Sequence, residues 1–102
     1  MSLLNIDHNN KNAGLGYWIG SPFVQKGLST EGVSLILNFG FNTLELERIY
    51  ARVMYPNVPS INLLRKIGFT FEGKLRHTMF RENQWMDDLC YSMLRSEYAY
   101  TF

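Results

Sequence analysis

The sequence is short of cysteine and of net charge, and it has no long apolar run. Cys90 is the only cysteine in 102 residues, so no internal disulfide can form. A reducing, cytoplasmic setting is the simplest expectation. Ten Lys and Arg stand against nine Asp and Glu, a net charge of +1. That balance gives no surface for a polyanion, so no nucleic-acid partner is expected. No apolar stretch is long enough to span a bilayer, so no membrane partner is expected either. The start, Met1-Ser2-Leu3-Leu4-Asn5, lacks the basic, apolar and cleavage regions of a signal peptide. His8 and His77 have no companions at ligand spacing, so no metal is expected. Cys90 sits between Leu89 and Tyr91 and reads as a small buried residue rather than a nucleophile. No repeat and no low-complexity segment divides the chain.

What is present is core-forming. Hydrophobic residues make up 46% of the chain and aromatic residues 15%, which excludes disorder as the dominant state. The length is that of one ordinary domain, expected over residues 1–102 and with little stability to spare. A short strand is expected at residues 3–6 and a polar loop at residues 7–12. Residues 15–20 are aromatic and β-branched between glycines and read as a strand. Val33, Ile36, Leu37, Gly40, Phe41 and Leu44 then fall on one face of an amphipathic helix. From residue 48 to 54 the pattern alternates, with Ile49, Ala51 and Val53 on one side and Arg48, Tyr50, Arg52 and Met54 on the other, so this is a strand. Asn57 is suited to cap a short helix at residues 61–67, Pro59 is tolerated in a first turn, and Gly68 suits the left-handed position beyond the end. Residues 69–80 and 84–94 predict a hairpin. The fold class is α/β or α+β, with a mixed sheet and the order β-α-β-α-β-β.

One loop carries chemistry. Phe23-Val24-Gln25-Lys26-Gly27-Leu28-Ser29-Thr30-Glu31 leads from a strand to the start of the amphipathic helix. Unpaired N–H groups and the positive end of the dipole suit a helix start to an anion. Gly27 allows close backbone approach, Lys26 adds charge, and Ser29 and Thr30 add hydroxyl donors. Read alone, these residues serve equally well as a turn, a solvated charge and a cap. The loop is neither a Gly-x-Gly-x-x-Gly fingerprint nor a P-loop.

The loop has company in a fixed order. Gly16-Tyr17-Trp18-Ile19-Gly20 precedes it, and Arg48-Ile49-Tyr50-Ala51-Arg52-Val53 follows. Then come Asn57-Val58-Pro59-Ser60, Leu64-Arg65-Lys66-Ile67-Gly68-Phe69 and Glu72-Gly73-Lys74-Leu75-Arg76. This set resembles a GNAT-superfamily N-acetyltransferase, most of all the RimJ/RimL-like branch that acetylates ribosomal-protein alanine. The resemblance covers roughly residues 14–94.

The resemblance implies a GNAT-like mixed sheet entered near its third strand, without the N-terminal strands and helices of the full fold. It implies acetyl-CoA as cosubstrate and transfer of acetyl to a primary amine, by direct attack in a ternary complex. A protein N-terminus, a polyamine and a small-molecule amine all remain open as acceptors. Backbone amides of Val24, Gln25, Lys26, Gly27, Leu28, Ser29 and Thr30 are the implied pyrophosphate cradle. The strands at residues 15–20 and 48–54 are expected to splay around the pantetheine arm, which pairs with the backbone of Trp18 and Ile19. Asn57 matches the family's Asn-x-x-Ser and is implied to pair with pantetheine amides. Ser60 is implied to donate to the leaving thiolate, and Arg65 to reach the 3′-phosphate. Four positions depart from the pattern: in the loop Val24 stands in the family's Gln/Arg place and Ser29 in its Gly/Ala place, with Gly27 alone retained strictly, and two more lie elsewhere. Gly14 stands where many relatives carry a glutamate base, and Leu64 where some carry a tyrosine acid. The alternative expectation is therefore a catalytically impaired CoA-binding or assembly module. A half-sheet leaves an edge unpaired, which predicts a homodimer with a second copy covering it.

Overall fold

The structure, a computed structural model, describes residues 2–16, 30–54 and 58–101. Along the chain run β1 (Ser2–Asp7), β2 (Asn12–Gly16), α1 (Thr30–Asn38), β3 (Arg48–Met54), α2 (Val58–Ile67), β4 (Thr70–Arg81), β5 (Gln84–Leu94) and α3 (Arg95–Thr101). A π-helical turn, Phe39–Thr43, extends α1. The expected β-α-β-α-β-β order is present, with β1 ahead of it and α3 behind. The five strands form one mixed sheet in the order β1-β2-β3-β5-β4. β2 and β3 are parallel, and the other neighbours are antiparallel.

The alternation in β3 decides where the core lies. Ile49, Ala51 and Val53 are fully buried. They share one cluster with Val33 and Leu37 of α1, Phe41 of the π-helical turn, and Leu64 and Ile67 of α2. Both helices therefore cover the same face of the sheet. Each large side chain buried there contributes roughly 1.5–3 kcal/mol. The π-helical turn brings its backbone close to the sheet at Gly40, where an added Cβ would lie 2.6 Å from Ile49 Cδ1. A side chain at residue 40 would collide with the core, which explains the glycine.

Local chemistry sets the element ends. The Asp7 carboxylate accepts hydrogen bonds from the backbone N–H groups of Asn9 and Asn10, both at 3.0 Å. That turn is tight, so β2 begins at Asn12, earlier than the expected residue 15. Residues 17–20 of the expected strand lie outside the described residues. α2 starts at Val58 rather than residue 61, because Pro59 fits a first turn where no N–H is needed. Gly68 has φ of 114°, and its N–H donates to the Leu64 and Arg65 carbonyls, so it closes α2 in the left-handed conformation the sequence predicts. The β4–β5 turn has Glu82 at φ 52° and Asn83 at φ 59°, the two-residue type I′ geometry.

The sequence pattern did not point to α3. Its start is held by the Leu94 N–H, which donates to the Glu97 carboxylate at 2.8 Å, and by the Arg95 N–H, which donates to the Glu47 carbonyl at 2.9 Å. Tyr98 then packs on Phe41, with ring centroids 5.0 Å apart.

Candidate functional site

β2 and β3 run side by side over three residue pairs: Asn12 with Arg48, Ala13 with Ile49, and Gly14 with Tyr50. Both strands then continue, β2 to Gly16 and β3 to Met54, with no further pairing between them. On its other edge β3 stays paired with β5 to the end, Met54 opposite Asp88. Among the described residues, the backbone of residues 51–54 is thus open on the side facing β2. The resemblance implies a fork for a pantetheine arm between the strands at residues 15–20 and 48–54; its described part begins at Gly14 and Tyr50, and residues 17–20 lie outside the described residues.

The two glycines of β2 leave room that neighbours fill. A Cβ at Gly14 would lie 2.9 Å from Tyr50 Cε2 and 3.2 Å from the Tyr50 hydroxyl oxygen. A Cβ at Gly16 would lie 2.5 Å from Leu4 Cγ. The Tyr50 ring therefore lies across β2 at the last paired residue. Its other side faces Arg48, whose guanidinium carbon is 5.2 Å from the ring centroid.

Arg48 also binds the Glu72 carboxylate. A hydrogen bond from the Ser92 hydroxyl, followed by that from Arg48, holds the Glu72 carboxyl below the usual glutamate range. Beside this group, Arg52 pairs with Asp88 at 3.1 Å. On the hairpin, the His77 N–H donates to Asp87 at 2.8 Å, and Lys74 pairs with the same carboxylate at 3.4 Å. These contacts lower the Asp87 pKa, the His77 backbone bond most of all. The open face of the sheet thus carries the Arg48–Glu72 and Arg52–Asp88 pairs, with the Tyr50 ring against Arg48.

The expected site residues fall into two groups. Trp18, Ile19, Val24, Gln25, Lys26, Gly27, Leu28, Ser29 and Asn57 lie outside the described residues. Thr30 is the first residue of α1. Ser60 lies in the first turn of α2 and is buried, with Leu64 buried one turn later. Arg65 is exposed in the last turn of α2. Sequence reasoning did not single out Tyr50, although the alternation of β3 already placed it on the face away from the core. The missing signal was the parallel register that sets it opposite Gly14. Among the described residues, no three His, Cys, Asp or Glu side chains come together to hold a metal. None of the described helices is long and apolar enough to cross a membrane.

Residues 1–70 match the family model described as an acetyltransferase (GNAT) domain. The chain belongs to the GNAT acetyltransferase family. It is 34% identical over 98 residues to the "Putative ribosomal N-acetyltransferase YdaF" of Bacillus subtilis, covering 96% of this chain and 54% of that protein. It is 30% identical over 98 residues to the spermidine N(1)-acetyltransferase of Escherichia coli, covering 96% and 53%. Among solved structures, the dodecameric spermidine N-acetyltransferase of Vibrio cholerae superposes with a TM-score of 0.82 at 28% identity, over 94% of this chain and 56% of that one. The GNAT chain described here spans about half the length of the curated relatives it matches.

Proposed function

We propose that this chain is the acetyl-CoA-binding portion of an N-acetyltransferase that moves acetyl from acetyl-CoA to a primary amine. The observation that carries this reading is the fork between β2 and β3. An extended arm laid in it finds the backbone edge of residues 51–54, unpaired among the described residues, and hydrogen-bonds as an added strand. In chain order the end of β2 leads, through residues 17–29, to the start of α1. A pyrophosphate held by the backbone of residues 24–30 has the N–H groups and dipole of that start to favour it. The arm then runs back along β2 and brings the thioester toward Gly14 and Tyr50.

The reaction needs no enzyme nucleophile. The amine nitrogen attacks the thioester carbonyl carbon, the C–N bond forms and the C–S bond breaks. Sulfur leaves with the electron pair, and a proton lost by the amine ends on it, giving free CoA thiol. In this reading Asn57 pairs with pantetheine amides, Ser60 donates to the leaving sulfur, and Arg65 reaches the 3′-phosphate. The ribosomal name of YdaF supports a RimJ/RimL-like acceptor, a protein N-terminus. The spermidine enzymes support a polyamine. A second copy covers the outer edge of β1, where Leu4 and Ile6 are exposed, and the dodecameric relative supports such assembly.

A second reading, a CoA-binding or assembly module without turnover, is favoured by one observation: Gly14 and Leu64 offer neither the carboxylate nor the phenol that the resemblance leads one to expect at their positions. One preparation tests both. Calorimetry with acetyl-CoA is followed by thiol release against spermidine and a short peptide with a free amino terminus, with the mass measured by light scattering. Binding with thiol release supports the transferase, binding without it supports the module, and no binding by the folded chain rejects both. A protomer mass at working concentration rejects the assembly.

A further inference from the structure

Among the described residues, the polar side chain at the last pair before the fork is Tyr50. Tyr50 lies at the last residue pair shared by β2 and β3, and its hydroxyl oxygen is 3.2 Å from where a side chain on Gly14 would begin. The ring is half-buried, so it is held and reachable at once. Two neighbours fix it. Glycine beneath it leaves the space the ring occupies, and the Arg48 guanidinium lies against it while bound to Glu72. A phenol so placed keeps its oxygen at one point with few rotamers to lose, which suits a group that orients a small ligand.

We infer that the Tyr50 phenol is the side chain that meets the acceptor amine. The inference rests on the proposed acetyltransferase reading and deepens it. A neutral primary amine donates an N–H to the phenol oxygen, and its lone pair is then aimed at the thioester carbon. The residue binds and orients the amine, and no proton leaves the phenol in this step. Gly14 belongs to the same device, because any larger residue there displaces the ring. Its small size therefore sets where the amine nitrogen sits.

The experiment compares the parent chain with Tyr50→Phe, which keeps the ring on Gly14 and removes one oxygen. Thiol release is measured against amine concentration, and acetyl-CoA affinity is measured separately by calorimetry. The expected result is a KM for the amine raised about tenfold, the size of one hydrogen bond lost at a site, with acetyl-CoA affinity unchanged. Gly14→Ala moves the ring from the other side and is expected to shift the same KM in the same direction. An unchanged amine KM in Tyr50→Phe overturns the inference while leaving the transferase reading intact. A loss confined to acetyl-CoA affinity overturns it as well. A parent chain that releases no thiol with any amine overturns the transferase reading and this inference together.

Discussion

β3 has two edges, and the fold treats them differently. Toward β5 every residue from Arg48 to Met54 has a partner, an antiparallel ladder of seven pairs. Toward β2, among the described residues, three are paired, in parallel, before the strands part. The sequence of β3 serves both edges with one alternation. Its odd-numbered side chains enter the helix-covered core, and its even-numbered ones stand on the open face. The core anchors the strand through side chains, so the strand keeps its place although, among the described residues, half of one edge is unpaired. A strand held only by its ladder could not leave half an edge open.

Three measurements break or sharpen this contrast. The first is amide hydrogen exchange, which reads one edge directly against the other. Amides of β3 that point toward β5 are expected to exchange at least about tenfold more slowly than those of residues 51–54 that point toward β2. Added acetyl-CoA then slows the second set, and equal rates on both edges would remove the contrast. Next comes Ile49→Ala, which opens a cavity beneath the point where both ladders are intact. It is expected to cost about 2–5 kcal/mol in urea unfolding. A loss below that range would show that the side-chain anchor is not what frees the edge.

The smallest effect concerns the open face. Glu72 is held below its ordinary value of 4.5 by Ser92 and Arg48. A lowered folded pKa means that this stabilisation is present above the ordinary value and lost as pH falls through the folded one. Glu72→Gln is therefore expected to lower stability near neutral pH by about a few tenths of a kcal/mol, since both partners are partly exposed. It is also expected to flatten the acid limb of an unfolding-versus-pH series. Asp7 and Asp87, lowered in the same direction, leave some of that limb in the variant. A variant with an unaltered acid limb would show that the Glu72 contacts do not form in solution.

The parts of this fold legible from sequence are those with a local cause. β3 shows its alternation, Gly68 its left-handed cap, and Glu82-Asn83 its place between two strand-like runs. Helix α1 shows its face through Val33 and Leu37, but the widening at Phe39–Thr43 depends on how closely Gly40 approaches Ile49, which is a tertiary matter. The short helix α3 has a local start signal in Glu97, which accepts from the Leu94 N–H, but its bond to Glu47 and its packing on Phe41 come from about fifty residues away, and no local pattern announces those partners. The site divides in the same way. Ser60 and Arg65 are positions the resemblance singles out, and the structure sets both on α2. Tyr50 gained its significance only from a register between strands separated by a loop and a helix.

The strand order has a consequence for how the chain reaches this state. β5 lies between β3 and β4, although β4 is made first. A ribosome that has delivered β4 has delivered a strand with no neighbour in the sheet. β4 can pair only with the strand that follows it, through the tight turn at Glu82-Asn83. The hairpin therefore closes on itself and docks against β3 as a unit. Until it does, the β5-facing edge of the central strand stands bare, and the arrival of the hairpin decides the fate of what was made before it.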